Sequence, residues 1–208
     1  MRYLFIIWLG LLPLFNKAQT GEGATALDKA IVQFDALSDQ SSFIQLDKVF
    51  EQLCASYPNN WMPFYYASLV KIKLAMYKGR SAESYADQAI EAIVKAKQLQ
   101  ENDEVLCVES LAYSTKMSLH PAWRWFSYEQ KIKGPLVAAK KINSNNPRIY
   151  VLEAMLQYKL PPVLGGSCKT AMPLAQKAIQ LLKQQSNNFQ KPHWGMRSAQ
   201  EVIKGCAF

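Results

Sequence analysis

Histidine is nearly missing from this chain. The 208 residues include two, His120 and His193, and each stands beside a proline in a different stretch. A metal centre needs several convergent ligands at suitable spacing, and none is present. No H-E-x-x-H, G-x-S-x-G, Walker or Rossmann glycine pattern occurs. Without a nucleophile–base pair or a phosphate-cradling loop, the sequence predicts a protein that is not an enzyme, with no cofactor and no metal. Glycine is sparse too, with nine residues, and most glycines and prolines lie between apolar-periodic stretches. Long apolar runs are also lacking. The longest, Tyr3 to Phe15, is too short for a spanning helix, which needs roughly 20 residues.

That short run has another use. Arg2 forms a positive start, the apolar stretch follows, and Lys17-Ala18-Gln19 closes it with a small residue suited to cleavage. The three-part pattern is that of a secretory signal peptide over residues 1–18, which predicts a periplasmic or secreted mature chain with no membrane span. Removing it takes Arg2 and Lys17 and lowers the net charge from +8 to +6. The remaining lysines are spread along the chain rather than clustered with glycines and aromatics, so no nucleic-acid partner is expected.

What is abundant favours helix: Ala, Leu, Lys and Gln. Polar punctuation recurs at Asn59-Asn60, Asn102-Asp103 and Asn145-Asn146, 43 residues apart each time. Lys73, Lys116 and Lys159 share that spacing. Each period reads as two helices. The apolar spacing predicts pairs over 25–38 and 42–57, 61–77 and 81–100, 103–118 and 125–143, and 147–159 and 168–185. A last helix over 194–204 follows. Gly134-Pro135 predicts a kink or a late start in the helix over 125–143. Ala82, Ala86 and Ala89 lie at i, i+4, i+7, and Ala171, Ala175 and Ala178 repeat the spacing. Such stripes of small residues let neighbouring helices approach closely. The fold expected is all-α, a solenoid of about four stacked helical hairpins over 19–208 with a C-terminal capping helix.

The alanine triplets, the Ala96 and Ala139 exits and Pro58-Asn59-Asn60-Trp61 resemble tetratricopeptide repeats, whose unit is about 34 residues. Pro161 to Ile179, with Gly165-Gly166 leading into an Ala-rich helix, is similar to the periplasmic T-component of TRAP transporters. The first resemblance implies a protein- or peptide-binding scaffold in the cell envelope. The second implies a ligand-binding accessory of a transport system.

Four residue groups are candidates for function. His120-Pro121-Ala122-Trp123-Arg124-Trp125-Phe126 places two tryptophans around an arginine in a connection between helices. Trp123, Arg124 and Trp125 either anchor a partner or fill a gap between hairpins. Lys73, Lys116 and Lys159 either form a basic ladder or are solvated surface groups. Gly165-Gly166-Ser167 is either an anion-binding nest or a plain turn. Of the four cysteines, Cys168 and Cys206 fall at ends that antiparallel helices bring together, within disulfide reach. Cys54 and Cys107 sit inside helices as thiols, and four free buried cysteines is the other reading.

Overall fold

The computed structural model describes residues 22–77, 79–185 and 192–207. The expected signal segment, 1–18, lies outside them. Nine α-helices follow one another among the described residues, with no strand: α1 (Glu22–Ala36), α2 (Gln40–Ser56), α3 (Trp61–Met76), α4 (Ala82–Leu99), α5 (Asp103–Leu119), α6 (Pro121–Ile142), α7 (Pro147–Lys159), α8 (Cys168–Gln184) and α9 (Met196–Cys206). Each helix packs on the next, and α1, α3, α5 and α7 also touch in succession, forming an inner row. The α9 helix lies against α7 and α8. No helix among the described residues is long and apolar enough to cross a membrane.

Asparagine starts three of the inner helices, α3, α5 and α7. The Asn60 side chain accepts from Met62 N at 3.0 Å, Asn102 from Val105 N at 2.9 Å, and Asn146 from Arg148 N at 2.8 Å. Each satisfies a backbone donor that the first turn leaves orphaned. These caps stand 42 and 44 residues apart, so the repeat has a variable length rather than a constant 43. Eight residues after each cap comes Ser68, Ser110 or Ala154. Ser68 donates to the Ala89 carbonyl and Ser110 to the Ile132 carbonyl, both at 2.8 Å. The neighbouring helix must come close for a hydroxyl to reach its backbone. The fully buried Ala86 and Ala89 of α4 allow that approach. Between hairpins an ion pair repeats as well. Lys97–Glu109 at 2.8 Å joins α4 to α5, and Lys140–Glu153 at 2.7 Å joins α6 to α7. Replacing Asn102 by alanine is expected to cost about 1 kcal/mol, read from chemical denaturation, because Val105 N loses its acceptor.

Two local expectations need correction. The α6 helix starts at Pro121, four residues before the expected 125, because proline at the first helical position already has the right φ and needs no donor. It is continuous through Gly134-Pro135 to Ile142, which rules out the late start expected there. Proline there removes one backbone donor, which leaves the carbonyl of exposed Lys131 to water. In the α7–α8 connection Gly165 has φ 89°, and a Cβ on Gly166 would collide with the Leu160 carbonyl. Gly166 N donates to Pro161 O and Ser167 N to Gln157 O. These donors are spent inside the turn, which favours the plain turn over an anion nest.

Candidate functional site

The unusual aromatic stretch forms the first two turns of α6, not a loop, and its helix divides the residues between two environments. Trp125 is 5% exposed and packs with Met117, Ile132 and Leu156. Trp123 and Phe126 are 88% and 82% exposed. They stand at i and i+3, and His120, the residue before the helix, is three positions earlier. The two rings therefore lie on one side of the helix, whereas His120 has φ −143° and ψ 68° and turns toward Glu83. Rings this exposed are unusual, since large aromatics are buried on average.

Next to His120 is a cleft of about 250 Å³, between the α3–α4 turn and the α5–α6 turn. Gly79, Arg80, Glu83, Leu119 and His120 line it. Glu83 is its electrostatic centre. Arg124 grips both Glu83 oxygens, at 2.8 and 3.2 Å, and also donates to the Lys116 carbonyl at 2.8 Å. Lys116 pairs with Glu83 and with Asp87 at 2.7 Å. His120 Nε2 lies 3.2 Å from Glu83 Oε1. Hydrogen bonds from Arg124 and Lys116 hold the Glu83 carboxyl down to about 2. Glu83 is therefore a fixed anion, and the cations around it are spent on it. Arg80 is exposed and makes no ion pair among the described residues. Among the described residues it is an available cation of the cleft.

The three spaced lysines have different fates. Counted from the asparagine caps, Lys73 and Lys159 occupy position 13, whereas Lys116 occupies position 14, that of buried Leu74. One residue of offset turns a helical side chain by about 100°. Lys116 therefore points inward to its carboxylates, while Lys73 and Lys159 are exposed. The structure joins Lys116 to Arg124 through Glu83 and makes no single row of the three.

A second polar cluster lies on the inner row and is closed. The Arg148 side chain is 0% exposed. It donates to Glu104 at 3.0 Å, to Gln185 at 3.3 Å and to the Pro192 carbonyl, and sits 5.5 Å from the Trp194 ring centre. Tyr65 bridges the group, donating to Glu104 at 3.1 Å and accepting from Trp194 Nε1 at 2.8 Å. His193 lies 3.8 Å from Asp35 on α1. Burial raises the Glu104 carboxyl above its ordinary value, with Arg148 opposing that rise. Pro192 to Gly195 thus plugs the inner row with groups from the chain itself.

The cysteines complete the picture. Cys168 at the start of α8 is bridged to Cys206 at the end of α9, with Cα atoms 5.3 Å apart. Cys54 and Cys107 are free, and burial pushes the Cys54 thiol up to about 12. No group of three or more potential metal ligands exists among the described residues.

Sequence reading missed Arg80 and Glu83. They lie about 40 positions before the aromatic stretch, and only hairpin stacking brings them beside it. The two rings offer an exposed apolar surface, and Arg80 a cation in the cleft.

No family model matches the chain, so neither the tetratricopeptide nor the T-component resemblance has that support. No curated protein matches it either. Among solved structures, the chain is similar to the HusA haemophore from Porphyromonas gingivalis, with 26% identity, a TM-score of 0.77, and cover of 89% of this chain and 94% of that one.

Proposed function

We propose that this protein is an exported, non-catalytic carrier that binds haem, or a related flat tetrapyrrole bearing carboxylates, at the α6 edge. The observation that carries the reading is the pair of exposed rings, Trp123 and Phe126, beside a cleft with an available Arg80. A tetrapyrrole is broad and apolar, with carboxylates on one edge. Stacking suits its face, and a guanidinium suits a carboxylate. A cleft of about 250 Å³ has room for one edge of such a ring. The likeness to a haemophore along nearly the whole chain supports the choice of ligand. The signal pattern and the Cys168–Cys206 bridge support export, since disulfides persist in oxidising compartments.

A protein partner is the second reading, favoured by the same rings, because aromatic anchors also dominate protein interfaces. An extended peptide on the inner row has less support, since Pro192 to Gly195 already lies there. A transport accessory of the T-component kind needs an enclosed apolar cavity, and the cleft at the α6 edge is open to solvent.

The test is a titration with ferric haem, followed by Soret absorbance and tryptophan quenching. Binding at micromolar Kd or tighter is expected. The double variant Trp123→Ala, Phe126→Ala should weaken it at least about tenfold, which corresponds to about 1.4 kcal/mol. Both rings are exposed, so the variant's stability should stay within about 0.5 kcal/mol of the parent's. Unchanged haem affinity in that variant would move the site elsewhere. No Soret change in the parent would reject the ligand.

A further inference from the structure

We infer that the edge where α6 begins docks on an anionic membrane surface, with Trp123, Phe126 and Val163 entering the headgroup layer and unpaired cations beside them. These three are the most exposed large apolar side chains among the described residues, at 88%, 82% and 90%. They come from two elements that one core cluster joins. Trp125 of α6 packs there with Met117, Ile132 and Leu156, and Leu164, the residue after Val163, packs against the same cluster. The short 3-10 turn Pro162–Leu164 therefore lies beside the first turns of α6. Charge selects the sign of the partner. Arg80, Lys131 on α6 and Lys159 at the end of α7 are exposed and make no ion pair among the described residues. Glu83, Asp87 and Glu129 at this edge are each paired, with Arg124, Lys116 or Lys133. What remains for a partner is positive, and it fits a negative surface. Shape selects a bilayer. None of the three apolar side chains lines the cleft by His120, so they stand out from the surface singly. A protein partner needs matching hollows to bury such points, whereas lipid headgroups rearrange around them. A tryptophan ring suits that layer, having an apolar body and a polar N–H. The contact is peripheral, since no described helix is long and apolar enough to cross a membrane. It shares two rings with the tetrapyrrole reading but does not rest on it, because Val163, Lys131 and Lys159 have no part in that site.

The experiment is co-sedimentation of the exported chain, residues 19–208, with vesicles of phosphatidylcholine alone or mixed with phosphatidylglycerol. Circular dichroism checks folding, and every side chain replaced is exposed. The parent should bind the anionic vesicles at least tenfold more tightly than the neutral ones, and added salt should narrow the gap. Val163→Asp should lose at least tenfold in affinity for the anionic vesicles, while its haem affinity changes less than twofold. Lys131→Gln with Lys159→Gln should also lose at least tenfold there, since each basic residue near such a surface contributes about fivefold. Equal binding of both vesicles by the parent overturns the inference, and so does Val163→Asp binding as the parent does. Binding to neither vesicle overturns it and gives the edge to a protein partner. A parent that binds the anionic vesicles but not haem upholds this inference and removes the tetrapyrrole reading.

Discussion

Replacing Arg148 by alanine should cost about 3–5 kcal/mol, the largest loss expected from any single side chain in this protein. The size follows from what is left behind. The guanidinium is fully buried and neutralises Glu104, while also serving Gln185 and the Pro192 carbonyl. Truncation strands a carboxylate in a low-dielectric site, which costs far more than the loss of an exposed ion pair, worth about 0–1 kcal/mol. Domains have roughly 5–15 kcal/mol in all, so the variant would stand near its unfolding threshold. The midpoint of thermal unfolding should fall by roughly 10 °C.

The pH dependence separates this cause from simple loss of packing. Burial already raises the Glu104 carboxyl, and Arg148 restrains that rise. Without the arginine, its folded-state value climbs further above the unfolded one. A carboxyl raised on folding contributes stability that is full at low pH and lost as pH rises through the folded value. The deficit of Arg148→Ala should therefore be smaller at pH 5 than at pH 8. A deficit equal at both would indicate a cavity rather than a stranded charge. Pairing Arg148→Met with Glu104→Gln removes both charges and should recover at least half of the loss.

The helices were legible because two signals agree along the chain. Apolar positions at helical spacing mark the faces, and asparagines at 60, 102 and 146 mark the starts. Stacking of consecutive hairpins follows from those faces, since neither helix of a pair can bury its own alone. Register was not legible. Each polar cluster offers two asparagines or an asparagine and an aspartate, and the capping residue is the second, the first and then the second again. A count that ignores this offset makes Lys116 equivalent to Lys73, although one is buried against carboxylates and the other is not. The stretch from His120 to Phe126 stood out by composition alone, but its meaning depended on helical phase. Phase buries Trp125 and exposes Trp123, and read as a loop the segment has no phase. The inner cluster left no local trace at all. Trp194 meets Tyr65 across 129 positions, and Arg148 meets Glu104 across 44.

Reducing the Cys168–Cys206 bridge should cost about 2–4 kcal/mol, and the loss should concentrate at the C-terminal end. The bridge closes a loop of 38 residues, and cross-linking chiefly limits the freedom of the unfolded chain. Position decides what opens first. Among the described residues the α9 helix packs only on α7 and α8, and of its own residues Ala199 and Val202 are buried. Eleven residues with so small a face do not hold as an isolated helix, which is marginal below about 12–15 residues. The bridge pins its far end, and Trp194 with Gly195 pins its near end. Gly195 has φ 121°, and a Cβ there would press on Val151. With Cys168→Ser, Cys206→Ser, amide exchange should quicken first across α9 and then at the Trp194–Tyr65 contact, while α2 to α5 keep the protection of the parent. The Trp123–Phe126 edge lies on α6, outside the loop that the bridge closes. Haem affinity should therefore change less than twofold in the variant under conditions where it stays folded. A loss of affinity matching that of Trp123→Ala, Phe126→Ala would instead mean that the ligand sits against the inner row, where Trp194 and Arg148 now close it.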